Sequence, residues 1–139
     1  MPQPGQILCH KDFEFEDHTK KQKLLVVLND TERGLLCLAL KTTSQSRHYQ
    51  GVDRGCNPQE KVFFVPATWE QCFKVDTYIQ LPQIFEIPID RLLAGEISGK
   101  IYVSSSLSVD CFKLLKECLR QFKDDISEQH RKLIFGGKR

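Results

Sequence analysis

Hydrophobic and polar positions in the first two thirds of the chain have the spacing of β-strands. Residues 6–15 alternate almost strictly, as in a strand with one buried face. Residues 23–29 and 35–41 are nearly continuous apolar runs joined by the turn residues 30–34, which predicts an antiparallel hairpin of buried strands. Shorter segments also have strand character: residues 61–66, 78–81, 84–87 and 100–103.

The C-terminal part of the chain changes to a helical period. Apolar residues between positions 111 and 122 recur at intervals of three and four, which predicts an amphipathic helix over 108–123 that packs on the sheet. A second short helix is expected over 125–134, and a single helical turn over 90–95. The predicted fold class is therefore mainly β (α+β), a small, strongly curved antiparallel barrel with a C-terminal helix packed on it.

Length and composition are typical of one globular domain. The chain has 139 residues, of which 40% are hydrophobic and 27% charged, and its formal net charge is +2. This charge is too small to indicate nucleic-acid binding by itself. The sequence has neither an apolar run of about eighteen residues nor the features of a signal peptide, so we expect a cytoplasmic protein that does not enter a membrane. A single domain is predicted over 1–135, followed by a flexible tail over 136–139.

The six cysteines are predicted to be reduced thiols rather than a disulfide framework or a zinc site, since no Cys-x-x-Cys pair is present. Four of them lie on apolar faces of predicted elements and two in polar surroundings: Cys9, Cys37, Cys111 and Cys118, and then Cys56 and Cys72. We expect the first four to be buried and the last two to react first. No metal and no cofactor are expected.

Two polar loops, over residues 16–22 and 42–60, flank the predicted hairpin. If its strands pair antiparallel, Lys23 and Lys41 lie at the same end of the sheet, and both loops emerge from one edge. Candidate site residues in these loops carry cationic, imidazole or hydroxyl groups: His18, Lys20, Lys21, Lys23, Thr42, Thr43, Arg47 and His48. His18 and His48 could form an acid–base pair, beside cations that could stabilise a developing negative charge.

Several short motifs follow one another in an order that points to a family. The first motif is Gly5-Gln6-Ile7-Leu8, and residues 23–29 are predicted to form a buried strand after a polar loop. Residues 36–46 run from an apolar strand into two threonines. Residues 76–79 and 84–91 are similar to a strand and an Asp-x-x-Arg-Leu region. Over about residues 5–122, this order resembles the MazF/PemK group of toxin endoribonucleases.

The resemblance implies an SH3-like barrel and a metal-independent endoribonuclease toxin, of the mRNA interferase type, that cleaves single-stranded RNA. Lys23 stands where the family has its catalytic arginine, Thr42 stands at the catalytic threonine, and His48 is the added catalytic candidate. Contacts with RNA are expected from the remaining loop residues: His18, Lys20, Lys21, Thr43 and Arg47. The implied protein partners are an antitoxin and a second copy of the chain, as a homodimer.

The sequence departs from the family where Lys23-Leu24 replaces an Arg-Pro pair. Lysine keeps the positive charge but lacks the planar fork with which arginine binds two phosphate oxygens. The alternative is therefore a catalytically degenerate nucleic-acid- or protein-binding module on the same fold. A third possibility is an interaction domain of unrelated function on a small barrel.

Overall fold

Seven antiparallel strands form one sheet in the computed structural model, which describes residues 1–136. The strands are β1 (Gln6–Glu14), β2 (Lys20–Val27), β3 (Leu36–Thr43), β4 (Gly55–Asn57), β5 (Val62–Val65), β6 (Thr77–Pro88) and β7 (Ile101–Ser106). Their order across the sheet is β4-β5-β6-β3-β2-β1-β7, so the predicted hairpin of β2 and β3 lies in the interior. The expected mainly β, antiparallel α+β fold is confirmed.

Helices cover both faces of this sheet: α1 (Ile89–Ser98), α2 (Val109–Arg120) and α3 (Glu128–Phe135). Side chains alternate along a strand, so β2 and β3 supply two separate cores. Val26 and Leu38 join the core that contains residues of α2 and α3, whereas Leu25 and Cys37 join the core that contains Leu92 of α1. This double burial explains why both strands are continuously apolar in the sequence.

The sheet is open, with β4 and β7 at its two edges, and it is not closed into the barrel that the sequence analysis expected. The pattern of apolar residues could not distinguish the two arrangements. A strand that is buried on both faces has the same composition whether helices or a curved sheet cover it.

The amphipathic helix predicted over 108–123 is α2. The Ser108 hydroxyl accepts a hydrogen bond from the backbone N–H of Cys111 at 3.1 Å, which caps the first turn. Leu115 and Leu119 are fully buried against the sheet, as the spacing predicted. The second predicted helix is α3, and it begins after Ser127, whose hydroxyl accepts a hydrogen bond from the His130 N–H.

Several predicted boundaries were wrong. Strand β2 begins at Lys20, within the predicted loop 16–22, because Lys20 and Lys21 pair with Glu14 and Phe13 of β1. The predicted loop 42–60 contains β4. Charged and polar residues are compatible with a strand end that faces solvent, so composition did not reveal these extensions. Of the predicted tail over 136–139, the last three residues lie outside the described part of the chain.

Helix α1 continues beyond the predicted turn over 90–95. It ends at Ser98, where Gly99 adopts a left-handed conformation with φ of 79°. Gly95 is inside the helix because the backbone packs closely there on β7. A Cβ atom at Gly95 would lie 2.5 Å from Cδ1 of Ile101. The glycine thus serves close packing rather than helix termination.

Two cysteines are bonded rather than free. Cys56 of β4 and Cys118 of α2 form a disulfide with a Cα–Cα distance of 5.6 Å. The prediction of reduced thiols was therefore wrong at both positions, and so was the prediction that Cys56 reacts among the first. The edge strand folds onto the apolar face of α2, a contact between residues 62 positions apart. Buried free thiols are confirmed at three predicted positions: Cys9, Cys37 and Cys111. Cys72 is free and half-buried.

Alkylation of the native protein should therefore modify Cys72 first. Burial, followed by the nearby charge of Glu70, raises the pKa of Cys72 to about 11. Because the thiolate is the reactive form, the alkylation rate should rise about tenfold for each unit by which the pH increases, as long as the pH is below that pKa. Peptide mass spectrometry locates the label. Modification of Cys56 or Cys118 before any reductant is added would contradict the disulfide, and both should be modified after reduction in denaturant.

None of the helices within residues 1–136 has the length and apolar character that crossing a membrane requires.

Candidate functional site

The sheet face beneath α1 changes from apolar to cationic at one end. Lys21 and Lys23 share this face with Leu25 of β2, because alternate side chains point the same way. On β3, Lys41 follows Ala39 on the same face. Leu25 and Lys41 are paired directly across the two strands. The core beneath α1 thus gives way to three lysines from two neighbouring strands.

An open cleft of about 670 Å³ lies over these lysines. One wall is the turn between β1 and β2, including Phe15 and Asp17. The opposite wall contains Thr43, the last residue of β3, and His48, which comes five residues later. Gln80 of β6 also lines the cleft. Residues that follow β1 and residues that follow β3 thus line one cleft, in agreement with the prediction that both loops emerge from one edge of the sheet.

Lys23 carries its positive charge in a partly desolvated position. Its ammonium nitrogen lies 5.2 Å from the centroid of the Phe15 ring, and the residue is half-buried. Burial, and next the repulsion from Lys41, lowers the pKa of Lys23. Among residues 1–136, no carboxylate oxygen lies within 4.0 Å of the ammonium groups of Lys21, Lys23 or Lys41. An anion in the cleft would therefore stabilise these charges.

The turn on the other side of the cleft is acidic and internally ordered. The Asp17 carboxylate accepts hydrogen bonds from the Thr19 hydroxyl at 2.6 Å and from the Thr19 N–H at 3.0 Å. These bonds lower the pKa of Asp17. Glu14 and Glu16 line the same wall. Like charges repel, so a bound phosphate would be confined to the lysine side of the cleft.

His48 lies at the end of a single 3₁₀ turn, Ser46–His48, which begins three residues after the end of β3. Its ring is exposed, and its Nε2 accepts a hydrogen bond of 3.4 Å from Nε–H of Arg47. The next residue fixes the segment to the sheet, because the Tyr49 ring stacks on Tyr78. The imidazole is thus held at the rim of the cleft, where it is accessible to a ligand.

Some predicted site residues lie outside the cleft. Thr42 is only 5% exposed, and its hydroxyl donates a hydrogen bond of 2.8 Å to the carbonyl oxygen of Leu24, joining β3 to β2. His18 is exposed in the β1–β2 turn, with its Nδ1 2.9 Å from a carboxylate oxygen of Glu14. Lys20 and Thr42 belong to the set of strand positions that faces away from Lys23.

Of the candidate residues, the cleft brings together Lys21, Lys23, Thr43 and His48. Lys41 and Gln80 are among the lining residues that sequence reasoning did not name as candidates. Lys41 could have been included, since the hairpin pairing already placed it beside Lys23. Gln80 could not, because its position depends on how β6 pairs with β3. Within residues 1–136, no three histidine, cysteine, aspartate or glutamate side chains converge as a metal site would require.

No family model matches the chain, and no curated protein matches it either.

Proposed function

We propose that this protein is a metal-independent endoribonuclease that binds single-stranded RNA in the lysine-lined cleft. The observation that carries the proposal is the convergence of Lys21, Lys23 and Lys41 with His48 on one cleft. Cations at this density favour a phosphate ester, and imidazole is the side chain best suited to proton transfer near neutral pH. The order of motifs that resembles the MazF/PemK group supports the same activity.

The proposed reaction uses the 2′-hydroxyl of RNA as the nucleophile. Nε2 of His48 exchanges its long hydrogen bond from Arg47 for the 2′-hydroxyl and accepts the proton of that hydroxyl as its oxygen attacks phosphorus. The bond from phosphorus to the 5′-oxygen breaks. Water protonates the departing oxygen, since the cleft is open to solvent. Lys23 and Lys41 stabilise the negative charge that develops on the non-bridging oxygens. The products are a 2′,3′-cyclic phosphate and a 5′-hydroxyl.

In this proposal Thr43, rather than Thr42, has the role of the catalytic threonine that the resemblance implies. Its side chain lines the cleft, and its Oγ1 accepts a hydrogen bond of 3.2 Å from the Gln45 N–H, so that its own O–H can donate to a phosphate oxygen. Flanking phosphates of a longer RNA would reach the cations near the rim, among them Lys21 and Arg47. Thr42 then has the role of fixing β3 to β2 beneath the site.

The biological setting also belongs to the proposal. The resemblance implies a toxin that an antitoxin protein inhibits, an SH3-like arrangement of the strands, a homodimer and a location in the cytoplasm, where the RNA substrate is found. In a reducing compartment Cys56 and Cys118 would be thiols. Intact-mass measurement of protein alkylated within cells would reveal which form is present.

Incubation of the purified protein with mixed single-stranded RNA in excess EDTA tests the activity. We expect cleavage to continue, because the proposed reaction uses side chains and water but no metal ion. Product analysis should find 2′,3′-cyclic phosphate and 5′-hydroxyl ends. DNA of the same sequence is the matched control, and it should bind but stay intact because it has no 2′-hydroxyl.

Two results would contradict this proposal in different ways. RNA that binds in a salt-dependent manner but remains intact would favour the alternative, a nucleic-acid-binding module without catalysis. RNA that neither binds nor is cut, together with normal growth of cells that express the protein, would exclude an RNA-directed toxin altogether.

A further inference from the structure

Three aromatic rings form a continuous stack beside the cleft. The rings of Phe64 and Tyr78 are 4.6 Å apart between centroids and inclined by 12°. The rings of Tyr78 and Tyr49 are 5.2 Å apart and inclined by 19°. The stack therefore runs from β5 across β6 to the segment that carries His48.

Strand pairing places this stack next to the lysines. Phe64 pairs with Tyr78, and Tyr78 pairs with Thr43 on the next strand, so these three residues form one row across the same sheet face. Thr43 lines the cleft. Nε2 of Gln80, which also lines the cleft, donates a hydrogen bond of 3.2 Å to the Tyr49 hydroxyl. The Tyr49 end of the stack thus borders the candidate phosphate site.

Tyr49 is the partly exposed member of the stack on the side of the cleft, and Phe64, also partly exposed, lies at the other end. Tyr78 is only 6% exposed, since its ring lies between its two neighbours. Tyr49 is half-buried, with one face on Tyr78 and the His48 ring edge-on at 6.4 Å. Ring surface therefore remains for a ligand, on the side of the molecule where the backbone of an RNA would lie.

We propose that Tyr49 is a base-stacking subsite, where the nucleobase next to the phosphate held by Lys23 continues the stack of Tyr78 and Tyr49. This inference rests on the proposed function and narrows its substrate. Every base has a π-face, so stacking selects for an unpaired nucleotide rather than for a particular sequence. A base in a duplex is already stacked on its neighbours. The subsite would thus restrict the site to single-stranded segments.

A fluorescent base tests the proposal directly. Oligoribonucleotides would carry 2-aminopurine at successive positions and a 2′-O-methyl group beside each phosphate, which prevents cleavage. We expect one position to lose fluorescence on binding the wild-type protein, because stacking on an aromatic ring quenches this base. Tyr49→Phe should keep the quenching. Tyr49→Leu should abolish it and raise the dissociation constant roughly 5- to 150-fold.

Two controls separate stacking from a change in the fold. Tyr102→Leu removes another tyrosine, 42% exposed on β7, and should change neither quenching nor affinity. Inorganic tripolyphosphate has no base, so its affinity should be unaffected by Tyr49→Leu but reduced by Lys23→Ala. Tight RNA binding with the same affinity and quenching in Tyr49→Leu would overturn the subsite and leave the proposed function intact. Absence of RNA binding to the wild-type protein would overturn both.

Discussion

Replacing His48 with alanine should lower the rate of RNA cleavage by a factor of about 10² to 10⁴. The reason is that His48 is the imidazole at the rim of the cleft that the lysines line, and accepts the proton of the 2′-hydroxyl in the proposed reaction. Single-turnover kinetics with protein in excess measure this step separately from product release. RNA affinity should change by only about twofold, because the exposed ring contributes little binding area.

A glutamine and a second histidine provide the controls for this result. His48→Gln can still form hydrogen bonds but cannot accept the proton, so it should be as slow as His48→Ala. His130 lies on α3, where it contacts Glu86 outside the cleft, and His130→Ala should retain the wild-type rate within about twofold. Full activity of His48→Ala would exclude this histidine as the base.

Replacing Lys23 with alanine should reduce cleavage by about 10² to 10³. The Lys23 ammonium is half-buried on the floor of the cleft beside Lys41, so its charge acts on the phosphate with less screening than an exposed lysine would. Lys23→Arg should keep or raise the activity, because the guanidinium fork binds two phosphate oxygens. Lys113→Ala, at an exposed position on α2, is the matched control and should have no effect beyond about twofold.

The pH dependence of RNA binding tests whether the positive charge of Lys23, rather than the shape of its side chain, contributes to the affinity. Phosphate binds the ammonium form, so affinity is lost as the pH rises through the pKa of Lys23. Burial and the repulsion from Lys41 lower that pKa, which brings the loss to a lower pH than for an ordinary lysine. Lys23→Arg should remain bound through this range, because arginine stays charged. Identical pH profiles for the two proteins would show that Lys23 does not contact the phosphate.

The sequence by itself determined the elements that depend on local periodicity. The apolar segments around residues 23–29 and 35–41 required a buried hairpin, and the spacing between 111 and 122 required an amphipathic helix. Antiparallel pairing of the hairpin then placed Lys23 and Lys41 at one end of the sheet. These features depend on the spacing of residues that are close together along the chain, and that spacing can be seen in a single sequence.

The tertiary structure alone decided which faces and which distant residues meet. A register shift in β6 pairs Leu40 with Ile84 but Thr42 with Ile79, so the alternation of side chains changes phase between them. As a result Gln80 and Phe85 line the same cleft, although strict alternation would place them on opposite faces. Tyr49 likewise reaches Tyr78, and Cys56 reaches Cys118, only because the polar segment between β3 and β5 folds back onto the sheet. Such contacts depend on pairing between distant parts of the chain, which local periodicity does not predict.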